Sequence, residues 1–234
     1  MRALVDNRPD LLIELAEAYY IDLRDRRGHT SVDRGIRPHW NRGTQRQAAW
    51  YLGPFWQSLH RVPVNTLALI NRMLDHAAHV RVRNLHGSAG FPPDDSLQGL
   101  ELELPDVGVR RYVGDDHVWS WYRGSSVGPY PCMSALLAVE RFADESLDAG
   151  IDMRRLVELL LRDCHNLAMP GLVVGLLVRH VDRAGDLLDS WLTYTHRSGI
   201  WKSPEPRARD SYMSKVPTSP RLTGVNSVGF PSVK

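Results

Sequence analysis

The run from Pro170 to Val181, PGLVVGLLVRHV, narrows most sharply what this chain can fold into. Its apolar residues cover nearly the whole circumference of a helical wheel, and a helix of that kind is stable only when other elements surround it. It is therefore expected at the centre of a core. The flanking sequence supplies company. Asp152 is placed to cap MRRLVELLLRDCHNLAM, in which Leu156, Leu159, Leu160 and Leu167 lie on one side and Arg154, Arg155, Glu158 and Arg162 mostly on the other. A further amphipathic piece, Asp186 to Leu192, follows Gly185. Helix alternates with turn, as in a bundle or a HEAT-like array, although no fixed-period repeat is visible.

Towards the N-terminus, Pro9 suits a first helical turn, and Leu11, Leu12, Leu15, Ala18 and Tyr19 form one apolar face. A polar, glycine-punctuated run follows, so residues 1–43 read as an N-terminal helix and loop. Residues 44–195 read as the helical domain. Thr44 is placed to cap a block carrying Ala48, Ala49, Tyr51 and Leu52, which Gly53-Pro54 interrupts. Phe55, Trp56 and Leu59 continue on a short helix. From Pro63 to about Arg81, Leu67, Ile70, Leu74, Ala77 and Ala78 keep helical spacing, and short connectors favour antiparallel neighbours.

A change of period marks an insertion at about residues 100–123. LELEL at 100–104 alternates strictly, as a half-buried strand does. Val109 to Val113 and Val118 to Tyr122 read as hairpin arms around Gly114-Asp115-Asp116-His117. Helical phase returns at Cys132, with Met133, Leu136, Leu137, Val139 and Ala143. The expected fold is mainly α: an antiparallel bundle or HEAT-like array with a small inserted antiparallel hairpin or three-stranded element.

Charge separates the body from the tail. Residues 1–195 hold 22 Lys/Arg against 25 Asp/Glu, a net −3, whereas residues 196–234 hold 7 against 2, a net +5. All three lysines, Lys202, Lys215 and Lys234, lie in that tail, and every earlier basic residue is arginine. The tail lacks amphipathic period and is rich in proline and serine, which predicts a disordered basic segment. The abrupt change in composition also suggests a body cut short and continued by unrelated sequence. Cys132 and Cys164 sit in apolar helical contexts and read as buried thiols in a reducing compartment. The N-terminus has no secretory h-region, and the longest apolar run, Leu172 to Val178, is far shorter than a membrane span requires. A cytoplasmic location follows as the expectation.

Several patterns invite a chemical reading. Gly124-Ser125-Ser126-Val127-Gly128 fits the G-x-S-x-G nucleophile elbow, with Asp152 or Asp163 and His165 or His180 as nominal partners of Ser126. Against it, Pro129 and Pro131 prevent a helix from starting directly after Gly128, and a hydrolase of that kind needs a large parallel sheet. The same glycines are not a phosphate-binding P-loop, because no lysine occurs before residue 202. His76 and His79 lie three apart with His86 nearby, but Asp75 points about a hundred degrees away around the helix, so no metal set is assembled. Cys164 and His165 are helix neighbours and do not face each other. For binding, alternation places Trp119 and Trp121 on one strand face near Arg110, Arg111 and Arg123, where indoles and guanidinium groups could stack bases or anchor a protein. The competing reading makes both tryptophans core cover for the helices, and it is favoured here. The weakly acidic body also disfavours nucleic acid.

Gly53-Pro54-Phe55-Trp56, Leu69 to Ala78 (LINRMLDHAA), His117 to Ala143 and Leu156 to Leu192 together resemble the helical region of large bacterial multidomain ATP-binding proteins, P-loop NTPases of STAND-like type. The resemblance covers residues 50–194, about three fifths of the chain. It implies a helical scaffold with no cofactor of its own, ATP being bound by a module absent here. The expectation is a non-catalytic scaffold or protein-interaction segment with a protein partner, no membrane span and no metal. The alternatives are a serine hydrolase at Ser126 and nucleic-acid binding through the Trp/Arg insertion and the tail.

Overall fold

Proline at the first helical position starts α2 (Pro9–Tyr20) directly after the short α1 (Arg2–Asn7). The computed structural model describes residues 2–22, 35–39, 48–88, 99–104, 108–124 and 128–197. Leu12, Ile13, Ala16 and Tyr20 form the buried face of α2, rotated from the expected face: of the residues expected there only Leu12 is buried, and Leu15 and Ala18 are exposed. Past its end the chain makes one antiparallel bridge, Ile21 to Ile36, with Asp22 N donating to Gly35 O and Arg37 N to Tyr20 O. Ala48 to Leu52 is a turn, not the expected helix: Leu52 N reaches back only to Ala49 O, and Gly53 follows at φ +79 before Pro54. A left-handed glycine followed by proline stops a helix on both counts. The proposed cap Thr44 lies outside the described residues.

Helices α3 (Phe55–Leu59) and α4 (Pro63–Ser88) come next. Leu67, Ile70, Met73, Leu74, Ala77 and Ala78 are all buried on α4. Strands β1 (Gly99–Leu104) and β2 (Gly108–Val113) then pair antiparallel, with Leu100 opposite Tyr112 and Leu102 opposite Arg110. The expected mainly helical fold with a small antiparallel insertion is therefore present, but the hairpin joins LELEL to Val109–Val113. The stretch read as a third strand is helical. It forms the single turn α5 (Asp116–Trp119) and a 3₁₀ turn, Ser120–Arg123. Asp115 explains the change: its carboxylate accepts from Val118 N at 3.0 Å and caps the turn.

The remaining helices are α6 (Tyr130–Asp148), α7 (Met153–Leu161), α8 (Ala168–Arg179), α9 (Val181–Ala184) and α10 (Asp186–Arg197). The run read as one helix over 153–169 breaks at residues 162–167. There the chain lies alongside the end of β2: Val113 N donates to His165 O at 2.7 Å, and Leu167 N donates to Val113 O at 3.0 Å. Asn166 Oδ1 then accepts from Met169 N and starts α8.

Successive long helices are neighbours: α2 on α4, α4 on α6, α6 on α8 and α8 on α10. As its composition predicts, α8 is buried almost all round, and Leu172, Val173, Leu176 and Leu177 are inaccessible or nearly so. Burying such side chains contributes about 1.5–3 kcal/mol each. The glycines of its G-x-x-x-G spacing admit the insertion: Gly171 faces the carbonyl of Trp119, and Gly175 faces the ring of Tyr122. Met1–Trp201 form one unit and Lys202–Lys234 another, and the second unit lies outside the described residues. No helix among the described residues is long and apolar enough to cross a membrane.

Candidate functional site

Trp119 and Trp121 do not form a binding face. They sit on a helical turn and not a strand, and both are buried, Trp121 completely. The exposed-indole reading of the insertion is overturned for the same reason the fold needs them: α8 packs directly against this turn. The nearby arginines are committed locally. Arg110 donates from Nη1 to the carbonyls of Leu161 and Arg162 at 2.9 and 3.0 Å, closing the C-terminus of α7. Arg111 lies opposite Glu101 in the ladder. Arg123 stacks on Tyr122, its guanidinium carbon 5.7 Å from the ring centre.

Ser126 lies outside the described residues, but its nominal partners are placed. Asp152 caps α7 through Arg155 N at 3.1 Å. His180 Nε2 bonds Asp144 Oδ1 at 2.8 Å. His165 and Asp163 are both exposed in the turn before α8, and the backbone N of His165 donates to Asp75. None of the four bonds another among the described residues.

The polar groups that do converge hold the insertion and the α7–α8 turn to α4. Asp75 Oδ1 accepts from Asn166 Nδ2 at 2.8 Å and from His165 N at 3.1 Å. Burial pushes this carboxyl above its ordinary range, against the pull of those two hydrogen bonds. Six residues along α4, Arg81 grips both oxygens of Asp115 from Nε and adds a bond from Nη2. Burial opposes ionisation of Asp115 as well, but the hydrogen bonds from Arg81 and Val118 N and the positive charge of Arg81 outweigh it and hold the carboxyl below its usual value. Asp115, Asp116 and His117 bring three ligand-type atoms within 4.8 Å of one another. A cation there would have to displace Arg81, and the arrangement reads as a capped, ion-paired turn. His76 and His79 diverge: the environment of His76 includes Asp22 and Gly35, whereas His79 Nδ1 meets Asp75 O at 2.8 Å. The side chain of His86 lies outside the described residues. Cys164 is fully buried, with its thiol on Asn166 O at 3.4 Å, and burial pushes its pKa well above the ordinary value. A thiol held in this way offers little thiolate.

A different cluster lies at the edge of the core, with Trp50 and Trp56 half-buried and Arg141 exposed. Trp50 and Trp56 meet edge to face at 5.1 Å, forming a corner beside Tyr51, which is 60% exposed. Arg141 of α6 lays its guanidinium over both indoles, 4.1 Å from the ring centre of Trp50 and 4.9 Å from that of Trp56. Its Nε donates to Glu145 Oε1 at 3.2 Å, and the other oxygen of Glu145 lies 3.5 Å from His60 Nε2. His60 in turn packs on Trp56 at 4.4 Å and on Phe142 at 5.8 Å. The Gly53-Pro54 break makes this possible, because it folds Trp50 back against the first turn of α3. Trp50, Trp56 and Arg141 escape a reading by local pattern: the tryptophans flank a breaker, and their cation comes from α6. The one local signal is the Arg141/Glu145 pair at i,i+4.

Compared with known proteins, the chain matches no family model and no curated protein.

Proposed function

We propose that this chain is a non-catalytic helical scaffold that works by binding a protein partner, related to the helical region of STAND-like multidomain ATP-binding proteins. On this reading ATP is handled by a module outside the chain. One observation carries it. The convergent polar groups of the described residues are spent joining elements, whereas half-buried Trp50 and Trp56 meet exposed Tyr51 and Arg141 at the edge of the core. Tryptophan, tyrosine and arginine are the side chains that dominate protein-binding hot spots, because each offers a large, stiff contact area with a polar edge.

Photo-crosslinking in the host tests the reading. A benzoylphenylalanine at Tyr51 should give a discrete adduct that disappears when Trp56 is alanine, while the same group at exposed Val109 on β2 gives none. Stoichiometric labelling by a fluorophosphonate, abolished by Ser126→Ala, would replace the scaffold reading with a hydrolase.

A further inference from the structure

We propose that the Trp50/Trp56/Arg141 corner docks an acidic segment of its protein partner, with a partner carboxylate closing on the terminal nitrogens of Arg141. The inference rests on the scaffold reading and names the partner's chemistry. Two features of the corner support it.

The first is geometric. Two indoles fix the plane of the guanidinium, so its rotamer entropy is already lost before anything binds. Its one hydrogen bond among the described residues runs from Nε to Glu145, which leaves Nη1 and Nη2 without a hydrogen-bond partner there. That edge is the fork that takes a carboxylate in two parallel bonds. The other oxygen of Glu145 lies 3.5 Å from His60 Nε2 and not on this edge. Tyr51 at the rim offers apolar cover for the residues flanking a partner's acidic group.

The second is charge. Residues 34–74, which contain both tryptophans, hold six arginines and not one Asp or Glu. Arg37, Arg61 and Arg72 are answered by Asp22, Asp6 and Glu17. Arg34, Arg42 and Arg46 lie outside the described residues. Residues 1–74 as a whole carry 11 Lys/Arg against 7 Asp/Glu, while residues 75–195 carry 11 against 18. Both tryptophans thus come from a stretch of sequence without a carboxylate, and among the described residues the acid in contact with the Arg141 guanidinium is Glu145 of its own helix. A nucleic acid shares the negative charge, but it gains its affinity for such clusters by stacking bases on free ring faces. Here Arg141 already covers the indoles at the corner.

The test uses the full chain and fluorescent peptides in which Asp or Glu alternates with Leu or Phe, with two controls: the same peptides carrying Asn and Gln, and a single-stranded oligonucleotide. Anisotropy should report binding of the acidic peptides alone. Arg141→Lys keeps the charge but loses the fork, and Arg141→Ala loses both; each should weaken binding roughly tenfold or more. Arg155→Ala, at an exposed arginine on α7, should leave binding unchanged. Equal binding by the Arg141 variants, tighter binding of the oligonucleotide, or no binding of any acidic peptide would overturn the proposal. Loss of peptide binding with a surviving Tyr51 adduct would reject the acidic partner and keep the scaffold. Circular dichroism of each variant confirms that the fold is retained.

Discussion

Gly171 of α8 lies directly against the backbone carbonyl of Trp119, so a Cβ at this position would overlap an atom that cannot move aside alone. The insertion and the central helix are joined at this contact. Gly171→Ala should destabilise the fold by about 1–3 kcal/mol despite the better helix propensity of alanine, lowering the thermal midpoint by roughly 2–4 °C for each kcal/mol. Gly175→Ala is the contrast. Its Cβ meets the ring edge of Tyr122, a half-buried side chain that can shift. Its stability should stay within about 1 kcal/mol of the parent, since the propensity gain is of that size.

Asp115 has two separable duties. It pairs with Arg81, and it caps α5 through Val118 N. Asp115→Ser keeps a capping oxygen and loses the ion pair, at a cost of about 2 kcal/mol, between the surface and the buried cases. Asp115→Ala loses the cap too and should cost about 1 kcal/mol more. Chemical denaturation of the two variants measures the difference. Because the folded carboxyl titrates below the unfolded value of 3.8, this stability is present above pH 3.8 and is lost as pH falls through the folded pKa.

Asp75 predicts the opposite slope. Its folded pKa lies above 3.8, so its contribution is full below that pH and fades as pH rises through the folded value. Asp75→Asn keeps an oxygen for Asn166 and His165 N and should flatten that decline, leaving stability at neutral pH equal to the parent or higher. Asp75→Leu removes the acceptor and should cost about 1–3 kcal/mol at every pH. Denaturation midpoints between pH 4 and pH 7 separate the cases; a steeper decline in Asp75→Asn would contradict this account of the carboxyl.

The outcome divides along the range of the interactions involved. The central α8, the apolar faces of α4 and α6, and the LELEL strand are readable because a local period determines which side is buried; on α2, apolar residues on both sides of the helix left the period ambiguous, and the buried face is Leu12, Ile13, Ala16 and Tyr20, with Leu15 exposed. Trp119 and Trp121 misled because VWSWY alternates as a strand would, while the deciding contact is the hydrogen bond that Val118 N donates to the Asp115 carboxylate. The break after α7 is invisible locally. Leucines continue in helical phase through Leu167, and the contacts that hold the turn open come from far back in the chain, from the backbone of Val113 and the side chains of Asp75 and Arg110. The surface corner was hidden for the same reason, since neither indole carries a signal that α6 will lay Arg141 over it.

Both cysteines should behave as core atoms. Cys132 and Cys164 are inaccessible, and burial pushes the Cys164 thiol up, so its reactive thiolate is scarce at neutral pH. Neither should react with an aromatic disulfide reagent under native conditions, and both should react in denaturant. Rapid native labelling of Cys164 would show that the α7–α8 turn opens far more readily than its bonds to Asp75 and Val113 allow.

Hydroxyl-radical footprinting of the tryptophans, read by mass spectrometry, tests most directly which aromatic group faces outwards. Trp50, Tyr51 and Trp56 should oxidise in the free chain, and Trp119, Trp121 and Trp191 should be protected. On addition of a partner the first set alone should lose reactivity. Oxidation of Trp119 and Trp121 with protection of Trp50 and Trp56 would contradict the assignment and return the binding face to the insertion.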